Sequence, residues 1–178
     1  MLCSAAGVSG AEGSAAETAA KLLEEYGEVT LDNALGSAIC KVGSWENGKP
    51  VMLLDAHIDE IGMIVTYITE DGFLKISGCG GLDTRLLLAQ QVTVYGKEKL
   101  TGIVTSTPPH LEKDNSVVPD LDSVFIDIGF TSREKAAKYV SLGDRVLIEN
   151  KAERLAGSRV TSKAIDDRSG CTAILKTL

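Results

Sequence analysis

The chain has 178 residues, 44% of them hydrophobic and 24% charged, with a formal net charge of −7. That is material for one ordinary domain or two small ones. It contains no apolar run of roughly 18 residues to span a bilayer, no basic n-region at its start, and no basic stripe to attract nucleic acid. The four cysteines, Cys3, Cys40, Cys79 and Cys171, are never spaced as a CxxC pair, so they read as reduced thiols rather than a zinc knuckle or a disulfide framework.

In chain order, Ser14 and Glu17 have capping-box spacing and predict the start of a helix. Ala19, Ala20, Leu22 and Leu23 give it an apolar stripe, and Gly27 occupies the place of a C-terminal cap. Strands are predicted over 28–32, 37–42 and 50–56, the last two joined by the Asn-Gly step within GSWENGKP. The stretch VMLLDAHIDEIGMIV (51–65) reads as a buried strand with a polar interruption.

From residue 60 to about 150 the texture changes. Short β-rich runs recur, among them IGMIVTYI, FLKISGC, QQVTVYG, LTGIVTS, SVFIDIG and RVLIEN, with glycine-containing turns between most of them. This pattern predicts a small barrel or a sandwich. One helix, TSREKAAKYV, interrupts it, with Thr131 and Glu134 spaced as a second capping box. The segment 108–122 holds three of the four prolines and reads as a loop, and its His110 reads as an exposed loop histidine. After Lys151 comes SRVTSKAIDDRSGCTAILKTL, a strand or loop, an acidic turn and a helix starting near Asp166–Asp167. The chain stops inside the apolar pattern ILKTL with no cap, which reads as an interrupted helix.

Two clusters carry chemistry. Residues two apart on a strand share a face, so His57 and Asp59 can reach one site together. A metal-bound histidine commonly donates its other ring N–H to a carboxylate; the same spacing also serves a histidine hydrogen-bonded at a polar strand end without metal. In Asp166-Asp167-Arg168, two adjacent aspartates exceed what one helix cap needs, and Arg168 pairing with Asp167 would leave Asp166 free. His57 and Asp166 could thus supply nitrogen and oxygen ligands from distant segments. A Gly-x-Ser-x-Gly elbow is absent, and GVSGAEG lacks the strand and lysine of a phosphate loop.

Taken in order, CSAAGVSGAEGSAAE, LDNALGS, LLDAHIDEIGMIV, ISGCGGLDTRLLLAQQVTVYG, LTGIVTSTPPH and SKAIDDRSG resemble the co-catalytic metallo-aminopeptidases. That family includes glutamyl, deblocking and tetrahedral aminopeptidases and is often labelled as endoglucanases or cellulases. The resemblance implies an α/β phosphorylase/hydrolase-like peptidase domain, incomplete here, interrupted by an inserted small β-barrel. Residues 1–67 and 160–178 would belong to the peptidase domain and 68–159 to a dimerisation domain. It further implies His57 as a metal ligand, Asp59 as the carboxylate that orients it, and Asp166 as the ligand bridging two divalent ions (zinc, cobalt or manganese), with a peptide after Asp166 that can be cis. The implied activity is a cytoplasmic metallopeptidase's: removal of N-terminal residues from peptides by metal-activated water, in homo-oligomers from dimers to dodecamers, without nucleic-acid or membrane partners. The family's remaining ligands and its glutamate base lie beyond the DDR motif and have no counterpart in this sequence. The resemblance therefore implies a chain that is inactive alone and holds metal weakly or not at all. A non-catalytic assembly module is the alternative, and an endoglucanase has less support.

Overall fold

The computed structural model describes residues 1–32, 34–107 and 119–178; His110 and most of the proline-rich segment lie outside them. The chain divides into two compact units, one made of Met1–Glu60 with Asn150–Leu178, the other of Ile61–Glu149. The predicted borders were 67/68 and 159/160. The barrel takes residues 61–67 because its first strand begins at Gly62, and it ends just after Ile148, where its last strand does.

The barrel unit contains β3 (Gly62–Ile68), β4 (Leu74–Cys79), β5 (Gln91–Tyr95), β6 (Lys99–Ser106), β7 (Val124–Asp127) and β8 (Arg145–Ile148). All six correspond to the β-rich runs of the sequence. They are antiparallel and close in the order β3-β4-β7-β6-β5-β8, a barrel rather than a sandwich. Closure is fixed by Met63 opposite Val146 on one side of β3 and Met63 opposite Gly78 on the other. Strand alternation sends Val92 and Val94 of β5 inward while Gln91 faces out. With Met63, Val65, Leu74, Ile76, Val104, Val124, Ile126 and Val146 they fill the interior. Closing the sheet removes the unpaired edge that an open sheet must protect. The short helix α2 (Arg133–Ala136) is capped by Ser132, whose hydroxyl accepts from the Lys135 amide, and not by Thr131 as the spacing predicted.

The other unit begins with a 3-10 turn at Leu2–Ser4 and helix α1 (Gly13–Leu23), which buries Ala15, Ala16, Ala19 and Ala20. Ser14 is inside α1 and gives it no cap; the carboxylate of Glu12, the residue before the helix, accepts from the Gly10 amide instead. Gly27 does not adopt a left-handed cap conformation. It packs so close to the backbone of Lys41 that a Cβ would lie 2.1 Å from the Lys41 carbonyl oxygen. Strands β1 (Glu28–Leu31) and β2 (Ala38–Lys41) pair with each other, so the hairpin turn joins these two strands and not the two that flank GSWENGKP. Asp32 organises that turn by accepting from the Ala34 and Leu35 amides.

The predicted third strand does not form: residues 50–59 join no sheet. Val51, Met52 and Leu53 are 63%, 83% and 85% exposed, so the run that read as buried is open to solvent. Consecutive apolar residues suit a strand covered on both faces and bonded on both edges; among the described residues nothing supplies those neighbours. After this segment Glu60 makes a parallel bridge with Val8. β9 (Glu153–Arg154) and β10 (Val160–Thr161) form a small hairpin. The chain then enters α3 (Ile165–Thr177), whose backbone is not helical at Asp166 and Asp167. The Asp166–Asp167 peptide is cis.

Candidate metal centre

His57 stands near the end of the extended segment, and its two ring nitrogens face two carboxylates, one from the same segment and one from the start of α3. Nδ1 lies 2.9 Å from Asp59 Oδ1, and Nε2 lies 3.2 Å from Asp166 Oδ1, a contact between residues 109 positions apart. Asp59 is itself held: the Ser9 hydroxyl donates to its Oδ2 at 2.5 Å. The structure thus brings together the three residues singled out in the sequence, and it adds Ser9, which spacing gave no means to find.

The two aspartates of the DDR motif divide the work. Asp167 turns back on the helix and accepts from the Gly170 amide at 2.9 Å, so it is the cap. A Cβ on residue 170 would lie 2.5 Å from both Asp167 carboxylate oxygens, so a larger residue there would push the capping carboxylate aside. Asp166 is left facing His57 with its side chain 96% exposed. Arg168 does not pair with Asp167, against the sequence expectation. It turns inward, fully buried, and pairs with Glu60 at 3.2 Å.

The electrostatics follow from this placement. Partial desolvation pulls the His57 pKa down, but the hydrogen bonds and charges of Asp59 and Asp166 outweigh it and hold the imidazole above its ordinary value. The Ser9 hydrogen bond, and then that of His57, hold Asp59 below the usual carboxylate range. Burial, reinforced by the Asp167 charge, pushes the Cys171 thiol up. Its Sγ lies 3.5 Å from the His57 carbonyl, within reach of a weak hydrogen bond.

The donor chemistry tests whether a metal ion fits. With Nδ1–H given to Asp59, the free lone pair of His57 is on Nε2, and it points at an acceptor-only carboxylate. Two acceptors 3.2 Å apart need a positive species between them, either a proton on the ring or a cation. A neutral imidazole and a carboxylate, backed by a second carboxylate, are the nitrogen and oxygen donors that zinc, cobalt and manganese accept. The pair is too exposed to serve as a stability device, because ion pairs in water contribute little. The residues fit as two ligands. Among the described residues, no group of three or more His, Cys, Asp and Glu side chains could hold a metal ion.

Comparison with known proteins agrees with this architecture. The family model of M42 glutamyl aminopeptidases matches residues 36–178. The lysyl aminopeptidase of Pyrococcus furiosus is 32% identical over 146 residues, 79% of this chain and 41% of that protein. An aminopeptidase of the archaeon Desulfurococcus kamchatkensis superposes with a TM-score of 0.89 at 32% identity, covering 98% of this chain and 48% of the other. A Pyrococcus horikoshii peptidase that assembles into a tetrahedron or a large octahedral shell gives 0.85 at 33% identity, covering 96% and 51%. The chain spans about half the length of the curated relatives it matches. It belongs to the M42 glutamyl aminopeptidase family.

Proposed function

We propose that this chain supplies one half of the frame of a cytoplasmic metal-dependent aminopeptidase, which removes N-terminal residues from peptides. In this reading His57 is a terminal metal ligand, Asp59 fixes its tautomer, and Asp166 bridges two divalent ions. The observation that carries the reading is the approach of His57 Nε2 to Asp166 Oδ1, with the other ring nitrogen already committed to Asp59. A divalent ion bound there supplies a water of lowered pKa and polarises the scissile carbonyl.

The chain's own residues do the preparation. Ser9 holds Asp59, Asp59 holds the imidazole by its Nδ1–H, and Asp167 caps α3 so that Asp166 stays free. Metal affinity needs a filled first shell, and a general base must reach the attacking water. With two ligands and no base among the described residues, the isolated chain binds metal weakly and turns over no peptide. The exposed run Val51–Leu54 fits an interior strand of the larger sheet that a protein of the relatives' length would build. The barrel reads as an insertion in the peptidase domain that serves homodimerisation, within assemblies as large as a dodecamer.

A second reading is a non-catalytic module that assembles copies through the barrel, whose six strands close on themselves without help from the other unit. An endoglucanase is less favoured, since glycoside hydrolysis needs two available carboxylates and Asp59 is spent on Ser9 and His57.

The test joins this chain to the C-terminal half of the Pyrococcus furiosus relative and assays aminoacyl-p-nitroanilides with zinc, cobalt or manganese. The reading predicts metal-dependent turnover that His57→Ala and Asp166→Ala abolish, and none from the chain alone. A folded chimera that binds metal but leaves every such substrate intact contradicts it, as does turnover by the unaided chain.

A further inference from the structure

The residues around His57 and Asp166 leave one buried group without a role. Arg168 is fully buried. Its Nε donates to the Ile58 carbonyl at 3.0 Å, its Nη1 to the carbonyls of Leu2 and Ala5 at 2.6 Å each, and its Nη2 to Glu60 Oε1 at 3.2 Å. Glu60 is 5% exposed and is shared: the Gly7 amide donates to it at 3.0 Å, and Lys163 Nζ to both its oxygens at 2.7 and 2.9 Å. Lys163 also reaches the Ala5 carbonyl. The core thus holds two cations around one carboxylate, closed off by backbone carbonyls.

The positions of these contacts matter more than their number. Ile58 lies between His57 and Asp59, and Arg168 lies two residues after Asp166. The Nε–Ile58 bond therefore ties the segment carrying the histidine to the segment carrying the aspartate, from the side away from solvent. The site residues themselves are exposed and cannot fix their own separation through packing: His57 is 56% and Asp166 96% exposed. The fork of a guanidinium holds several acceptors in fixed directions, which an ammonium cannot reproduce. Gly7 keeps the space open, since a Cβ there would lie 2.7 Å from Nη2 and 2.8 Å from Ala15 Cβ.

We propose that Arg168, held by Glu60, is the positioning residue of the site: it sets the distance between His57 Nε2 and Asp166 Oδ1 without touching metal or substrate. The inference rests on the metal-site reading only for its metal arm. Groups behind metal ligands typically contribute a factor of about 10–100 in metal affinity.

The test is NMR of the metal-free chain labelled with 15N-histidine, followed by a Co2+ titration. The sequence has two histidines, so His110→Ala leaves the His57 ring alone in the spectrum. In Arg168→Lys the proposal predicts His57 ring resonances shifted toward those of free histidine and Co2+ binding weakened about 10–100-fold. The barrel variant Leu74→Ala, destabilised elsewhere, should leave both unchanged. If Arg168→Lys does not fold, Glu60→Gln carries the test. It leaves Lys163 and Arg168 buried without a counter-charge, which drives the guanidinium off Ile58 and shifts His57 in the same direction. Native His57 resonances in a folded Arg168→Lys or Glu60→Gln variant overturn the proposal, as does an equal shift in Leu74→Ala. Wild-type chain that shows no Co2+ response overturns the metal-site reading; the shift of His57 in Arg168→Lys then still decides the positioning role.

Discussion

The two units of this chain solve the problem of apolar sequence in opposite ways. The barrel takes six β-rich runs and gives every strand a bonded neighbour on each side, so the valines of its strands disappear inside. The other unit has an equally apolar run, Val51–Leu54, that joins no sheet and lies open to solvent. The difference shows that hydrophobicity alone does not bury a strand. Burial requires partners for both backbone edges, and a closed barrel supplies them from within itself. It also explains where chemistry can sit. The barrel spends its residues on its own core, while the extended segment ends in a polar tip that meets a second segment 109 residues away.

The sharpest way to break this contrast is to delete the same atoms in each unit. Leu74 is completely buried and Leu53 is 85% exposed. Leu74→Ala should cost about 2–5 kcal/mol by the lost transfer energy and the cavity left behind. Leu53→Ala should stay within about 0.5 kcal/mol. Urea unfolding measures both, and equal costs would remove the distinction between the units. Next in size, Gly7→Ala forces a methyl against the buried guanidinium of Arg168 and against Ala15, an overpacking worth about 1–3 kcal/mol. Its loss should appear in the unit that carries the site and not in barrel amides, as residue-resolved hydrogen exchange would report. The same experiment should find the amides of β5 and β6 protected, and those of 51–54 exchanging with little protection.

The site adds a smaller, pH-dependent contribution. Asp59 is held below its ordinary value, so its share of stability is complete above the unfolded carboxylate pKa and is lost as pH falls through the lower folded value. His57 is held above 6.5, so its share is complete below that value and is lost as pH rises through the raised one. Both are present together between about pH 4 and 6.5. The metal-free protein should differ most from Asp59→Asn within that window. Solvent screening keeps the difference under about 1 kcal/mol, and a difference that grows above pH 8 would contradict the assignment. Smallest of all, the raised thiol of Cys171 should be alkylated at pH 8 more slowly than a thiol of ordinary pKa; alkylation as fast as that of free cysteine would count against it.

The barrel was legible in the sequence because each of its strands announces itself locally. Alternation within QQVTVYG and the β-rich run RVLIEN, bounded by turn residues, need no knowledge of distant contacts. The His57–Asp166 site was legible only through motif order, since nothing in the spacing links two segments so far apart. The pairing of residues 50–56 was misread because the Asn-Gly step favours a hairpin locally, whereas Asp32 organises the turn that actually forms. Arg168 was misread for a similar reason: Asp167 is its neighbour in sequence, but the buried carboxylate of Glu60 is its partner in space. Buried charge clusters combine residues from several segments, here 7, 60, 163 and 168, and no local pattern marks them.

In the proposed metal site, His57 and Asp166 present one nitrogen and one oxygen to the same cation. Observing the His57 ring by NMR while Co2+ is added to the wild-type chain and to Asp166→Ala tests it most directly. With both residues as ligands, the His57 signals should show weak, saturable paramagnetic shifts that disappear in Asp166→Ala. Signals that do not respond to Co2+, or that respond identically without the Asp166 carboxylate, would contradict it.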